Sequence, residues 1–505
     1  MALPLQSIDL IAPGFKGLNT EDSPLAQDPT FAEVADNAVI DKRGRIASRK
    51  GINVITTNKT VLGSDYLHKV HQFYDDSGSD VIFSTGNNKI MTGTTTLVDV
   101  TPSSYTINAN NWKIVNFNNK AYFFQRGLEP LVHDSATGLR TFGTVTGTTT
   151  AATLKCNEAI ASFGRLWIAD NASEAQTVYW SDLLDGVDFT GGSSGSINVS
   201  KAWPDGHDVI VGLVAHNNLL VIFGEHSLLV YQNADTPAVM SLADTVSGIG
   251  GIDRGSIQSM GTDVLFLSDS GLRSLGRTIQ EKSLPLSDLS KNIKTDLTVL
   301  ISGETDPIQS IYSPENSFYL LCFPSQQTVL CFDLKIKLEN NAYRVTRWTS
   351  VKHKSFGRDK DGTLYIGSTD GVGKYDGYKD NTSTYQFRYT SPGLTFGSPS
   401  RTKLVKKIRP TLVGLNDGTV FVRWAYDFST AFQNYEINIG DQNPAFFGTS
   451  EYGVGTFTGG LLVTRTSVQG NGNGAVVSIG LESSINGAVL SIQEINVLAL
   501  VGKTI

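Results

Sequence analysis

The stretch DVIVGLVAHNNLLVIFGEHSLLVYQN, residues 208–233, holds a short apolar run, an Asn-Asn turn, a longer apolar run and a second turn. Asn-Asn tolerates the positive φ that a two-residue hairpin turn requires. The segment Leu219 to Phe223 is apolar at consecutive positions, not alternate ones. A sheet with one wet face would alternate, so this strand is expected to be covered on both faces.

The same phrase recurs along the chain. It turns near Gly78 in HKVHQFYDDSGSDVIFSTGNNKIMTG, at Asn118-Asn119 in WKIVNFNNKAYFFQRGLEPLVHD, and at Gly164 in EAIASFGRLWIADNASEAQTVYWSD. Further copies turn at Gly261-Thr262, Glu315-Asn316 and Asp361-Gly362. Successive turns lie about 40–54 residues apart, the spacing of small sheets stacked side by side. The expected fold is all-β: a β-propeller of six or seven blades over residues 61–380. A stack of β-sandwiches is the competing geometry, and it requires alternating strands.

One helix is expected in SLPLSDLSKNIKTDLTVLI, where Leu286, Leu289, Ile293, Leu297 and Leu300 recur at helical spacing. It reads as an insertion between the fifth and sixth units, packed on a propeller rim. Past Tyr378 the texture changes to Ser, Thr, Gly and alternating strands such as TVFVRWAYDF and GAVVSIGLESS. Residues 381–505 therefore read as a C-terminal antiparallel β domain, sandwich-like. Residues 1–60 are too few for a core and are expected to dock on another domain or subunit. Asp28-Pro29 reads as a helix start, cap then first turn, launching FAEVADNA.

The bulk numbers agree with a folded β protein. Of 505 residues, 40% are hydrophobic and 18% charged, which excludes a disordered tail. The 50 glycines are in excess, as many tight turns demand. No cation precedes Lys16, so the charged start of a secretory signal is missing. LLVIFGEHSLLVY is cut by Glu225 and His226, and no apolar run reaches the ~18 residues of a membrane helix. A soluble protein made in a cytoplasm is expected. Three cysteines, Cys156, Cys322 and Cys331, cannot form a disulfide framework. Cys322 and Cys331 stand across a hairpin built on PSQQ, and are expected to be free.

A search for chemistry finds little. LSDSGLRSL carries Ser268, Asp269 and Gly271 but misses the spacing of a sialidase-type turn. Asp359 and Asp361 are two carboxylates of a calcium loop without its remaining ligands, and read as a structural turn. His68 and His71 would lie on opposite faces of a strand, with no third metal ligand nearby. No catalytic residue, metal site or cofactor is expected.

One feature contradicts the acidic balance, a net charge of −7. In VADNAVIDKRGRIASRKG, residues 34–51, Lys42, Arg43, Arg45, Arg49 and Lys50 crowd into nine positions. Three readings are open: contact with DNA phosphates, a solvated hairpin, or pairing with an acidic surface on a neighbouring subunit or adaptor, where Arg bonds carboxylate in bidentate fashion. Nothing aromatic is interleaved to stack bases.

The opening GFKGLNTEDSPLAQDPTFAEVADNAVIDKRGRIASRKG resembles the N-terminal signature of the tail nozzle (tail-stabilisation) proteins of short-tailed bacteriophages. The resemblance continues at VYWSDLLDGVDF (178–189), at GTLYIGSTDGVGKYDGYKDN (362–381) and in the Gly-Ser-Pro-x-x-x-Lys pattern ending at Lys403. It implies a structural virion protein: a β-propeller with added β domains, six copies forming a ring below the portal and adaptor. The implied partners are further copies of the chain, the tail adaptor and tail fibres or spikes, with genomic DNA passing through the channel without sequence preference. The implied place is the virion tail, after assembly in the host cytoplasm. This chain is shorter than some nozzles, which leaves a distal gate in question. A propeller glycosidase or depolymerase, or a receptor-binding adhesin, are the alternatives.

Overall fold

A computed structural model describes residues 5–145, 153–281, 288–414, 418–439 and 463–504. Six four-stranded blades stand radially around one axis, five as separate sheets and the fifth as one end of a nine-stranded sheet, and a three-stranded sheet fills the gap between the fourth and the fifth. This is a β-propeller. Each blade begins at the axis and steps outward, as in the fourth: Ile210–His216, Leu219–Gly224, Ser227–Gln232, Ser241–Ser247. The inner strands touch their neighbours in turn, and the last, His353–Arg358, touches the first, Lys69–Tyr74, closing the circle.

The turn residues explain the blades. His216 pairs with Leu219 and Phe117 with Lys120, leaving Asn217-Asn218 and Asn118-Asn119 as the two-residue loops. All four asparagines have positive φ, between 45° and 63°. The other expected turns also join the first and second strands of their sheets.

The consecutive apolar runs are explained by separate cores between adjacent blades. Trp167, Trp180, Leu220 and Ile222 fill the layer between the third and fourth blades. Phe73, Phe83, Trp112 and Phe123 fill that between the first and second. Trp167 and Trp180 stand 5.3 Å apart. Truncating such an aromatic costs about 3–5 kcal/mol.

The three-stranded sheet, Gln258–Ser259, Val264–Ser268 and Gly271–Ser274, has among the described residues only the single bridge of Arg273 to Asp288 on its outer edge. Helices α1 (Leu275–Glu281) and α2 (Lys294–Gly303) follow it. The expected helix is therefore present as α2, with Leu297 buried and Leu300 half-buried, while Leu289 and Ile293 are buried just ahead of it. Leu286 lies outside the described residues. Helix α1 was not signalled by spacing.

The C-terminal residues form a two-sheet sandwich. One sheet runs Val463–Arg465, Arg401–Gly414, Leu490–Thr504, Ile46–Ser48, Ala38–Ile40. The other comprises Tyr385–Thr390, Val477–Ile485, Gly418–Tyr426 and Gln433–Ile439. Val405, Ile408 and Leu412 meet Val420, Val422 and Leu481 in one core.

The first 60 residues join the two bodies, which a docked segment would not do. Leu5–Leu10 pairs with Leu490–Thr504. Val34–Asp36 lies between Tyr343–Trp348 of the fifth blade and Tyr385–Thr390 of the sandwich, so blade and sandwich share a nine-stranded sheet. Ile52–Val54 supplies the outermost strand of the sixth blade. The helix expected after Asp28-Pro29 does not form. The Asp28 carboxylate accepts from the Thr30 amide at 2.9 Å and from its hydroxyl at 2.6 Å, closing a turn. Phe31–Ala32 and Val34–Asp36 then run as strands, because sheet edges wait on both sides.

Candidate functional site

The basic stretch forms a hairpin, Ala38–Ile40 against Ile46–Ser48. Its tip is built by Asp41, whose Oδ1 accepts from the amides of Arg43 (2.8 Å) and Arg45 (3.0 Å). Gly44 turns the chain back at φ +77°. The five cations separate into two groups. Lys42 and Arg43 are exposed and Lys50 is half-buried; Arg45 and Arg49 are buried.

Arg49 is fully enclosed. Its two terminal nitrogens donate to Asp380 Oδ1 at 2.8 Å and Oδ2 at 2.6 Å, and its Nε donates to Asn37 Oδ1 at 3.0 Å. The Tyr385 ring lies 4.1 Å and the Trp348 ring 5.7 Å from its guanidinium carbon. Burial opposes its charge, yet the bonds to Asp380 more than compensate, and its pKa stays above the ordinary value. Arg45 is held by Asp41, Nε to Oδ2 at 2.6 Å. These two arginines are thus corrected from candidate interface groups to internal clasps. Their charges are spent inside the chain, and no phosphate or neighbouring carboxylate reaches Arg49.

Lys42, Lys50 and Arg45 line an open cleft of about 620 Å³ between the hairpin, the fifth blade and the sandwich. Lys335 stands on the same wall, donating to the Ile40 carbonyl at 2.8 Å and paired with Asp333 at 3.1 Å. Glu315 and Asp41 are the acidic members, and Phe318, Tyr375 and Val489 provide apolar lining. Asp41 is matched by Arg45 and Lys335 by Asp333, so the charges without an ion pair among the described residues are Lys42, Lys50, whose ammonium lies 5.9 Å from the Tyr375 ring, and Glu315. The cleft is net basic, with an apolar floor.

A second charged group sits on the propeller axis. Lys113 of the second blade meets Glu158 of the third at 2.5 Å. Arg254, just ahead of the three-stranded sheet, donates to the carbonyls of Asn157 on the first strand of the third blade and of Asn111 just before the second blade. Lys69 of the first blade faces this group without a hydrogen bond or ion pair among the described residues. Burial, then Lys113 and Arg254, bring its pKa down to about 8. His71 Nε2 donates to Asn116 Oδ1 at 2.9 Å, and burial lowers its pKa to about 4. Arg254 reaches across the axis, whereas the other contacts join neighbouring blades. The sequence signal was available: Lys69, Lys113 and Glu158 each interrupt the apolar first strand of a unit.

The remaining candidates are structural. Asp359 Oδ1 accepts from the amides of Asp361 (3.0 Å) and Thr363 (2.7 Å), so its carboxylate serves a turn. Ser268 accepts from Arg273 Nε at 2.8 Å in the three-stranded sheet. His68 and His71 do not share a site: His68 approaches Asp65 at 3.5 Å, His71 the axis. Cys322 and Cys331 lie on paired strands but two positions out of register, Cys322 opposite Val329 and Cys331 opposite Leu320. All three cysteines are free and buried.

No family model matches the chain, and no curated protein matches it. Among solved structures, it is similar to PorZ, a bacterial surface component of the type-IX secretion system of Porphyromonas gingivalis. That match has 12% identity and a TM-score of 0.37, and covers 76% of this chain and 46% of that one. The extracellular domain of the putative hybrid two-component system BT4673 from B. thetaiotaomicron matches at 12% identity and a TM-score of 0.44, covering 79% and 57%. The C-terminal WD40 domain of Sif2 matches at 10% identity and a TM-score of 0.38, covering 65% and 98%. The chain thus spans about half the length of PorZ and somewhat more of BT4673.

Proposed function

We propose that this chain is a structural subunit of a phage tail nozzle, forming a ring below the portal and adaptor that extends the DNA channel. The observation that carries the reading is where the resembling segments sit. Residues 14–51 form the seam between propeller and sandwich, including Arg49. Residues 362–381 contain the strand Gly371–Tyr375 that receives Ile52–Val54, and Asp380, the partner of Arg49. Lys403, which ends the Gly-Ser-Pro pattern, is buried and donates to the carbonyls of Ser398 and Ala475 at the entry to the sandwich. Three of the four motifs of the resemblance therefore coincide with the joints that make two bodies into one stiff part, while 178–189 lies in the third blade.

Stiffness is the mechanical requirement for a conduit wall. Each blade is buried between neighbours, and the terminal strands leave only short free edges. Because Arg254 reaches across the propeller axis, DNA passes outside it, through the centre of a ring of copies. A net charge of −7 disfavours phosphate sticking to that wall. Exposed Lys42 and Arg43 are the cations left for a neighbouring subunit or the adaptor. The test is electron microscopy of the purified chain with portal–adaptor assemblies. A sixfold annulus beneath the adaptor is expected; isolated particles with bare adaptors overturn the reading.

A further inference from the structure

The loop Ser181-Asp182-Leu183-Leu184-Asp185-Gly186, between the third and fourth strands of the third blade, presents two adjacent leucines to solvent. Leu183 is 55% and Leu184 59% exposed. The loop is braced from several directions. The Leu184 amide donates to the Gly164 carbonyl at 2.8 Å, and Asn118 Nδ2 donates to the Leu184 carbonyl at 2.6 Å, tying the loop to turns of two blades. Asp182 Oδ1 accepts from both the amide and the hydroxyl of Ser193 at 2.9 Å. Asp185 Oδ1 accepts from the Val187 amide at 3.0 Å. Leu184 itself holds φ +57°, a conformation that a leucine adopts only when its surroundings impose it. A rigid tip that exposes apolar surface at a conformational cost is the profile of a contact residue.

The tip has two properties, apolar and acidic, and the cleft beside the hairpin has the reciprocal pair. Its floor is apolar, and Lys42 and Lys50 stand on its rim without an ion pair among the described residues. The two features lie well apart on the molecule. Counting the three-stranded sheet, the tip is at the third of seven positions around the circle, and the cleft adjoins the sixth. One chain cannot bring its own tip to its own cleft.

We infer that the Leu183-Leu184 tip of one copy docks in the basic, apolar-floored cleft of a second copy, exposed Asp185 facing Lys42 and Lys50 while Asp182, 3.9 Å from its own Arg165, braces the loop. Such a contact joins different surfaces of the two partners, and repeated contacts of this kind close into rings when the rotation allows. The direction of assembly rests on the ring reading given above, whereas the pairwise contact does not. The leucines supply the buried anchor, and the charges fix register and speed encounter.

The test is a cysteine trap in the full chain, made practicable by the burial of all three native cysteines. Leu183→Cys and Lys42→Cys chains are mixed under a mild oxidant and the disulfide is mapped by mass spectrometry. A 183–42 cross-link is expected in the mixture, at least tenfold above either variant alone, and reduced tenfold by adding Lys50→Glu to the Lys42→Cys chain. Glu315→Cys provides a second cleft position should the first variant fold poorly. A mixture that cross-links no more than its separate components, at both cleft positions, overturns the contact. The ring reading is scored separately on the adaptor micrographs. An annulus without the cross-link removes this contact and keeps the nozzle; a cross-link without an annulus does the reverse.

Discussion

Two cations in this molecule, buried Arg49 and half-buried Lys69, stand in opposite electrostatic surroundings. At the seam, Arg49 meets a carboxylate through two bonds and lies against two aromatic rings. On the axis, Lys69 meets Lys113 and Arg254, and the carboxylate of Glu158 is already taken by Lys113. A planar guanidinium with a matched carboxylate is a clasp, whereas a lone ammonium in such a place is a liability that the surrounding blades must carry. The fold thus concentrates electrostatic stability where the bodies join, and spends some of it at the hub.

The largest expected effect breaks the first half of that contrast. Asp380→Ala leaves Arg49 buried and unpaired, and should lower unfolding stability by about 3–5 kcal/mol in a denaturant titration. A loss below about 1 kcal/mol would show that the pair is ornamental. Gly51→Ala probes the same seam without touching charge. Its added carbon would lie 1.9 Å from the Lys379 carbonyl oxygen, a backbone atom that cannot swing aside. A loss of about 1–3 kcal/mol is expected.

His353 connects the two regions, since it sits on the inner strand of the sixth blade and feels Arg49. Burial first, then Arg49, lowers its pKa to about 3. The folded chain therefore keeps it neutral, while the unfolded chain takes up a proton below about pH 6.5. Stability is fully present above pH 6.5 and falls as acid approaches pH 3, by up to about 1.4 kcal/mol per pH unit. His353→Phe should flatten the melting profile over that window relative to the parent; an identical slope would contradict the assignment. For the hub, Lys69→Met should raise stability by on the order of 1 kcal/mol at pH 7, since it removes an unpartnered charge from a crowded site. A loss of similar size would mean that Lys69 has a partner role. Smallest of all, Arg43→Glu should change stability by less than about 0.5 kcal/mol, because Arg43 is exposed. Its effect, if the hairpin meets the adaptor, belongs in docking to adaptor-bearing heads.

Local features were legible in the sequence, and long-range ones were not. The Asn-Asn turns and the unbroken run at Leu219–Gly224 follow from backbone preference and two-sided burial, both visible within a few residues. The alternating pattern in TVFVRWAYDF likewise announced the strand Gly418–Tyr426, which buries every second residue over much of its length. The partners of residues 5–54 were invisible, because Leu5 pairs with Leu500 and Asn53 with Lys374, and no periodicity encodes a match across hundreds of residues. The misreading after Asp28 has the same origin: capping chemistry was present, but distant strand edges outcompeted a short helix. Arg49 and Arg45 looked like surface cations because charge clustering says nothing of burial. The missed axial group could have been found by asking why three first strands each carry a charge.

The pairing of Ile52–Val54 with Gly371–Tyr375 also sets a timetable. A ribosome releases the early strand more than three hundred residues before its partner exists, and Leu5–Leu10 waits longer still for Leu490–Thr504. The nascent disc stays unlatched until Gly371–Tyr375 is made, and the sandwich until Leu490–Thr504 follows. Products truncated before Gly371 would then be left open at both the rim and the sandwich, and those truncated later at the sandwich alone.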